Sequence, residues 1–144
     1  MTTDAAPDFN EFNRNLVAEF RANGGKVTGP FAKAPLILVT HTGAKSGTER
    51  TTPLVYTRDG DRIVVIASKA GSPAHPHWYL NMLANPEVVV ELPGEKFRAR
   101  ATALTEGPER ERLYRAQADR MSNFDEYQRK TNRLIPVVVL ERMS

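Results

Sequence analysis

The clearest candidate for binding chemistry is residues 42–50, which read Thr-Gly-Ala-Lys-Ser-Gly-Thr-Glu-Arg. Lys45 and Arg50 supply cationic hydrogen-bond donors, Ser46 adds a hydroxyl, and the two glycines let the backbone come close to a ligand. Such a loop between two strands suits an anion, most simply a phosphate. An ordinary hairpin connection with solvated charges is the alternative, and on this stretch alone both interpretations stay open.

The same residues do not form a Walker A phosphate-binding loop. That motif needs Gly directly before the Lys, where this chain has Ala44, and it needs a helix afterwards. Residues 51–57 are instead rich in β-branched types and include Pro53, which indicates a strand. A nucleoside triphosphatase is therefore not expected.

A second group with similar chemistry follows the apolar run at residues 63–66, where the chain reads Ala67-Ser68-Lys69-Ala70-Gly71. A strand that simply enters a flexible loop would explain it. Together with the first loop, however, it suggests two loops that grip different parts of one elongated anionic ligand. Trp78, the only tryptophan, lies just beyond and is either a core anchor or an aromatic wall for a planar ring.

Metal and hydrolytic sites find little support. The chain has no cysteine, and His75 and His77, one residue apart, would point to different sides of a helix. There is no Gly-x-Ser-x-Gly elbow, and the acidic residues are scattered through polar segments where solvated charge explains them. We therefore expect no metal.

The elements that must position these groups are mostly strands. Asp59-Gly60 and Pro93-Gly94 are turn signals between neighbouring apolar runs, and such closely spaced hairpins predict an antiparallel sheet. Six strands would most naturally curl into a barrel, with the last strand pairing near its front. The predicted strands are residues 36–41, 51–57, 62–69, 87–92, 96–104 and 134–141.

Helices are predicted at four places. Residues 77–84 follow a proline and stop before Asn85-Pro86, residues 105–121 form a second segment, and a short helix after Ser122 carries Phe124 and Tyr127. At the N-terminus, a stripe of apolar residues from Asp8 onward predicts an amphipathic helix that ends at Gly24-Gly25. The stripe consists of Phe9, Phe12, Leu16 and Phe20, and it serves either the core or a membrane surface.

The length and the net charge of the chain indicate the general class of protein. We predict an N-terminal arm and helix over residues 1–25 and a barrel domain over residues 26–144. Twenty Lys and Arg against seventeen Asp and Glu give a formal net charge of +3, too small an excess to predict nucleic-acid binding. The N-terminus lacks the pattern of a signal peptide, and no apolar run approaches the length of a spanning helix. The expectation is a cytoplasmic protein, with peripheral membrane contact as the alternative.

Four ordered motifs together resemble the deazaflavin-dependent nitroreductase family. They are residues 42–47 with Arg50, residues 67–69 with Gly71, residues 76–86, and residues 135–138. The resemblance covers about residues 33–142. It implies an α+β fold with a split antiparallel β-barrel, related to flavin-binding barrels. It also implies coenzyme F420, an 8-hydroxy-5-deazaflavin with a ribityl phosphate and a polyglutamate tail.

The resemblance assigns a role to each matching segment. The first loop would hold the phosphate and the start of the acidic tail, and the strand after it would lie along the deazaflavin ring. The second loop would meet the polar edge of the ring, and the helix would close the pocket. The cofactor-binding residues implied in this way are Lys45, Ser46, Gly47, Arg50, Pro53, Leu54, Val55, Ala67, Ser68, Lys69, His77, Trp78 and Asn81.

The implied chemistry is hydride transfer from reduced F420 to a small organic acceptor, with the redox work carried by the cofactor. As a hypothesis, Ser68 stabilises charge at the pyrimidine edge of the ring. Tyr127 either lines the acceptor pocket and donates a proton or packs its helix onto the barrel. Relatives active on bulky nitroimidazoles carry several aromatic residues on the helix that follows Ser122. This chain has Lys130 on that helix, which is not aromatic, and it has His77 where an apolar residue is common. Quinone-like acceptors are therefore favoured.

Two other functions remain as alternatives. The same barrel can hold FMN in place of F420, which would change the cofactor but keep the enzyme class. A carrier that binds F420 without turnover is the second alternative. Whether the protein is a monomer or a dimer is left open.

Overall fold

The computed structural model describes residues 5–29, 32, 35–68, 75–121, 123–131 and 134–143. Over these residues the chain forms four helices and seven strands. The helices are α1 (Ala5–Ala22), α2 (His77–Ala84), α3 (Pro108–Arg120) and α4 (Asn123–Lys130). The strands are β1 (Leu36–Thr42), β2 (Glu49–Val55), β3 (Thr57–Asp59), β4 (Arg62–Ile66), β5 (Glu87–Leu92), β6 (Glu95–Leu104) and β7 (Val137–Arg142).

All seven strands join one antiparallel sheet in the order β2-β1-β5-β6-β7-β4-β3. The two edge strands, β2 and β3, are separated along the chain by Tyr56 alone. A flat sheet of this size would be about 29 Å wide, whereas the α carbons of Val55 and Thr57 are at most about 7.6 Å apart. The sheet must therefore curl until its edges approach each other. The predicted α+β class and split antiparallel β-barrel are confirmed.

Two details of the predicted sheet are wrong. Residues 51–57 form parts of two strands and not one, because the chain leaves β2 at Val55 and crosses to the other edge of the sheet at Tyr56. The last strand pairs with β6 and β4, and not near the front of the barrel. The reason is that both edges of β1 are already occupied, by β2 and by β5.

The helices cover the barrel at three places. The interior of the barrel is closed by α2, whose Trp78, Tyr79 and Met82 pack with inward-facing residues of the strands. The outer faces of β4 and β7 lie under α3 and α4. The outer face of β1 lies under α1.

The apolar stripe of α1 belongs to the core in its second half. Leu16 and Phe20 are buried and pack against Leu36 and Leu38 of β1. Phe12 is 39% exposed, and the Phe9 side chain lies outside the described residues. In the described part of the chain, no helix has both the length and the apolar character needed to cross a membrane. The core interpretation is thus confirmed for Leu16 and Phe20, and membrane contact finds no support.

A buried arginine connects α3, α4 and the start of β7. The guanidinium of Arg110 is almost fully buried and donates to the Ile135 carbonyl oxygen at 2.7 Å and to Gln128 Oε1 at 2.7 Å. Gln128 Oε1 also accepts from the Ile135 backbone N–H at 3.1 Å. These bonds fix α4, and with it Tyr127, relative to the barrel.

A second buried polar group, Gln117 of α3, is poorly matched. Its Oε1 accepts a long hydrogen bond of 3.4 Å from Thr57 Oγ1, and its Nε2 has no partner within the described residues. Because an unpaired buried donor costs free energy, we expect Thr57→Val combined with Gln117→Met to raise the free energy of unfolding by about 1 kcal/mol. Urea unfolding of the double variant and of each single variant measures this. A double variant no more stable than the wild type would contradict it.

Candidate functional site

The two predicted binding loops lie at the same end of the barrel. Four antiparallel pairings separate β1 from β4 across the sheet, so these two strands run in the same direction. Residues 43–48 follow β1, and Ala67 and Ser68 follow β4, so both segments emerge together. Strand β5 runs the opposite way, which places α2 at this end too. We call it the loop end.

The barrel is open between β2 and β4 at the loop end. Strand β3 covers only the part of β4 from Arg62 to Val64, so the rest of that edge has no strand partner in the described chain. Strand β2 is paired on one side only, with β1. The gap between these two edges, with residues 43–48 and Ser68 at its end, is the candidate cofactor groove.

Residues 43–48 form a tight turn held by its own hydrogen bonds. The Gly43 N–H donates to the Thr48 carbonyl oxygen at 2.9 Å, and the Gly47 N–H donates to the Gly43 carbonyl oxygen at 3.0 Å. Ser46 Oγ accepts from the Thr48 N–H at 3.2 Å. A Cβ on residue 43 would lie 2.5 Å from Ser46 Oγ, so a larger residue there would displace the hydroxyl that accepts from Thr48. The turn is therefore preformed.

The donors of this turn point to solvent without acceptors. Lys45 and Arg50 are exposed and make no ion pair within the described chain, although Glu49 lies between them in sequence. The backbone N–H groups of Lys45 and Ser46 also have no acceptor among the described residues. In contrast, Arg112 contacts two carboxylates. Lys45 and the two free N–H groups of the turn, together with Arg50 at the start of β2, form a candidate anion site.

Helix α2 holds this turn in place. Asn81 Oδ1 accepts from the Ala44 backbone N–H at 3.0 Å, and Asn85 Nδ2 donates to the Thr42 carbonyl oxygen at 3.4 Å. The other end of the Asn81 amide lies 3.0 Å from Nδ1 of His41. The position of the turn is therefore set by side chains of a helix that also closes the barrel.

His41 is a buried, uncharged histidine at the base of the turn. Its side chain faces the interior of the barrel, and its Nε2 lies 2.8 Å from Thr52 Oγ1. Burial, and secondarily the positive charge of Arg50, lowers the pKa of His41 to about 4. The imidazole is therefore neutral at physiological pH and can act as both a donor and an acceptor.

Comparison with known proteins decides the family. The family described as F420H(2)-dependent quinone reductase matches residues 12–142. The chain belongs to this family. An F420H(2)-dependent quinone reductase of Mycobacterium tuberculosis strain H37Rv is 39% identical over 128 residues, which cover 87% of this chain and 86% of that protein.

Two solved structures are similar to this quinone reductase family member. An F420-H2 dependent reductase is 42% identical with a TM-score of 0.68, and the match covers 74% of this chain and 94% of that one. A protein described as a domain-swapped dimer is 35% identical with a TM-score of 0.70, and the match covers 95% of this chain and 100% of that one. The resemblance inferred from the four motifs is confirmed.

The remaining predicted cofactor residues of this quinone reductase family member border the groove in different ways. Leu54 packs with the barrel interior and Val55 with the α1 cluster, so their side chains lie on opposite faces of β2. Both belong, with Pro53, to β2, an edge strand of the sheet. Ala67 stays attached to the sheet through its N–H, which donates to the Pro136 carbonyl oxygen at 3.0 Å.

The other assigned side chains differ in exposure. Ser68 is nearly buried where the chain leaves β4, and Lys69 lies outside the described residues. On α2, Trp78 is buried and meets Tyr79 edge to face at 6.4 Å between ring centroids, whereas His77 is exposed. Tryptophan thus serves as a core anchor, and its role as a wall for the cofactor stays a prediction.

Tyr127 packs onto the outer face of the barrel. Its ring meets that of Phe124 edge to face at 5.3 Å, beside the cluster under α3 and α4. The packing interpretation is therefore confirmed, while a role toward the acceptor stays a prediction.

Sequence reasoning missed the groups beneath the turn, namely His41, Thr52 and Asn85. One signal pointed to His41, since it occupies an inward position that alternates with Ile37 and Val39. A histidine in a row of apolar inward residues needs hydrogen-bond partners.

The protonation of His41 predicts a pH dependence of stability. Since the folded pKa of about 4 lies below the usual 6.5, the unfolded chain binds a proton that the folded protein does not. Stability is therefore lost as the pH falls from 6.5 toward 4, by about 2 kcal/mol at roughly pH 5. Urea unfolding at about pH 8 and pH 5 measures the loss in the wild type and in His41→Gln. An equal loss in both proteins would refute the assignment.

Proposed function

We propose that this chain is an F420H2-dependent reductase that binds the cofactor in the groove between β2 and β4. Membership of the quinone reductase family over residues 12–142 supports the cofactor and the reaction class. The observation that carries the site is the preformed turn at residues 43–48, where Lys45, two backbone N–H groups and the adjacent Arg50 of β2 have no acceptor within the described chain. That turn would hold the phosphate and the first carboxylates of F420.

The donor set fits the acidic end of the cofactor. A phosphate and several carboxylates need cationic and N–H donors, which Lys45, Arg50 and the Ser46 backbone supply. The single carboxylate of the loop, Glu49, is outnumbered by the two cations. Within the described chain, no group of histidines and carboxylates could hold a metal ion, and the proposal needs none.

The other groove residues would orient the ring. The backbone groups of Val55 and the carbonyl of Pro53 face the unpaired edge of β2, whereas those of Leu54 face β1, because the Tyr56 N–H donates to the Pro35 carbonyl oxygen and strand groups alternate. Ser68 would donate to the polar edge of the ring where charge develops, and Ala67 would hold that segment against the sheet. The cofactor, when bound in its reduced form, would supply the hydride and the proton that convert a quinone into a hydroquinone.

Exposed apolar groups favour an apolar acceptor. Four large apolar side chains are exposed in the described chain, and three of them lie at the loop end. Leu80 and Leu83, on α2, are 45% and 56% exposed, and Leu134, which precedes β7, is 43% exposed. Apolar surface beside a reaction site suits a quinone better than a charged acceptor. Tyr127, on the neighbouring α4, would line the same acceptor side.

The cofactor is tested by titration with F420 and, separately, with FMN. Quenching of Trp78 fluorescence reports binding, because this is the only tryptophan and it lies in the helix that closes the barrel. We expect tighter binding of F420, since its polyglutamate tail adds carboxylates that FMN lacks. Tighter binding of FMN would refute the F420 assignment.

Turnover is tested by following the oxidation of F420H2 with benzoquinones, naphthoquinones and a nitroimidazole. We expect quinones to be reduced faster than the nitroimidazole. Rapid reduction of the nitroimidazole would overturn the quinone preference. F420 binding without oxidation by any acceptor would show a carrier and not an enzyme.

A further inference from the structure

A series of hydrogen bonds, buried at its centre, runs beneath the turn at residues 43–48. It begins at the Ala44 backbone N–H, passes through the side-chain amide of Asn81 and the imidazole of His41, and ends at Thr52 Oγ1. The three contacts measure 3.0, 3.0 and 2.8 Å, and Asn81 and His41 are 9% and 3% exposed. The series thus connects β1, β2, α2 and the turn through two buried side chains.

The donor and the acceptor of each of these three hydrogen bonds can be assigned in only one way. The Ala44 N–H can only donate, so the Asn81 atom facing it is the carbonyl oxygen Oδ1. The Asn81 amide nitrogen then faces His41 Nδ1 and can only donate, so Nδ1 carries no proton. A neutral imidazole must therefore carry its proton on Nε2, which donates to Thr52 Oγ1.

We propose that Asn81 and His41 are positioning residues that hold residues 43–48 where the turn meets the phosphate and tail of F420. This inference rests on the proposed function. Both ends of the Asn81 amide are used within the protein, so its contribution to binding passes through the turn and not through direct contact with the cofactor. His41 fixes the orientation of that amide.

The proposal separates the acidic end of the cofactor from its ring. A displaced turn loses contacts to the phosphate and carboxylates only, while the ring contacts at β2 and Ser68 remain. The deazaflavin riboside, which ends before the phosphate, reports the ring contacts alone. Asn81→Leu is therefore expected to weaken F420 binding about tenfold and to leave riboside binding within about twofold. Ala84→Ser, a change at an exposed position of the same helix, is the matched control.

Two readouts do not depend on activity. Nitrogen-15 NMR of the full chain without ligand should show His41 with an unprotonated Nδ1 and a protonated Nε2. Hydrogen exchange at the Ala44 amide should become faster in Asn81→Leu and stay unchanged in Ala84→Ser. If Asn81→Leu does not fold, Asn81→Ser is measured in the same way, because it is smaller and cannot reach both partners.

The outcomes distinguish this inference from the proposed function. Absence of F420 binding by the wild type would refute the proposed function, whereas the Ala44 exchange and the His41 tautomer would still test the hydrogen-bond chain. Wild-type binding with equal losses of F420 and riboside in the variant would show that Asn81 acts at the ring, and would overturn the inference. Protonated Nδ1 in the NMR spectrum would overturn it as well.

Discussion

Removal of both cations of the turn, in Lys45→Ala/Arg50→Ala, is expected to weaken F420 binding about a hundredfold at low salt. Each cation would make charge-assisted hydrogen bonds to the phosphate or the carboxylates, and each such contact contributes about 1.5 kcal/mol or more. Since neither side chain makes an ion pair in the described chain, its loss removes no contact that stabilises the fold. The free energy of unfolding should therefore change by less than about 0.5 kcal/mol.

The expected loss has a specific salt dependence and a matched control. Screening weakens the wild-type contacts more than those of the variant, so the difference between the two dissociation constants should shrink as salt is raised. As a control, Lys96→Ala removes a cation at the opposite end of the barrel, where β6 begins. This substitution is measured alone and together with a second substitution of an exposed residue. Titration of Trp78 fluorescence in each protein gives the constants. An equal loss in Lys96→Ala would show that net charge, and not the turn, governs binding.

Much of the fold could be predicted because the local signals agree. The turns at Gly60 and Gly94 adopt the positive φ values of 64° and 78° that glycine allows, so the hairpins that they close were visible in the sequence. Helix α2 follows Pro76 and ends before Pro86, in agreement with its predicted bounds. The break at Tyr56 was not visible, because residues 51–57 have a continuous strand composition. Closure of the barrel, a property of the whole sheet, imposes that break.

Only part of the candidate site could be predicted from the sequence. The composition of residues 42–50 indicated an anion site, and the register of the sheet brings that loop and Ser68 to one end. The support beneath the loop could not be predicted, since the contacts of Asn81 to Ala44 and to His41 span 37 and 40 residues of sequence. Buried amides and imidazoles resemble ordinary polar residues until their partners are known.

The predicted division between residues 1–25 and residues 26–144 can be tested at the end of α1. Gly25 has a φ of 97°, and a Cβ there would lie 2.5 and 2.6 Å from ring carbons of Pro93, in the turn between β5 and β6. Arg21, one turn earlier, makes a two-pronged contact with Glu91 of β5, at 2.6 and 3.1 Å. The helix is thus fitted closely against the barrel, with little room at Gly25.

Gly25→Ala is therefore expected to lower the free energy of unfolding by about 3 kcal/mol or more, from backbone strain and from the clash with Pro93. Gly24→Ala is the matched control, because its φ of 63° causes the same kind of strain while nothing lies within 4 Å of the added Cβ. Gly24→Ala should lower the free energy of unfolding by about 1 kcal/mol. Urea unfolding followed by circular dichroism and by Trp78 fluorescence measures both variants.

If residues 1–25 fold apart from the barrel, Gly25→Ala will reduce helix content and leave the fluorescence transition of α2 unchanged. A shift of both transitions together would show that α1 and the barrel unfold as one unit.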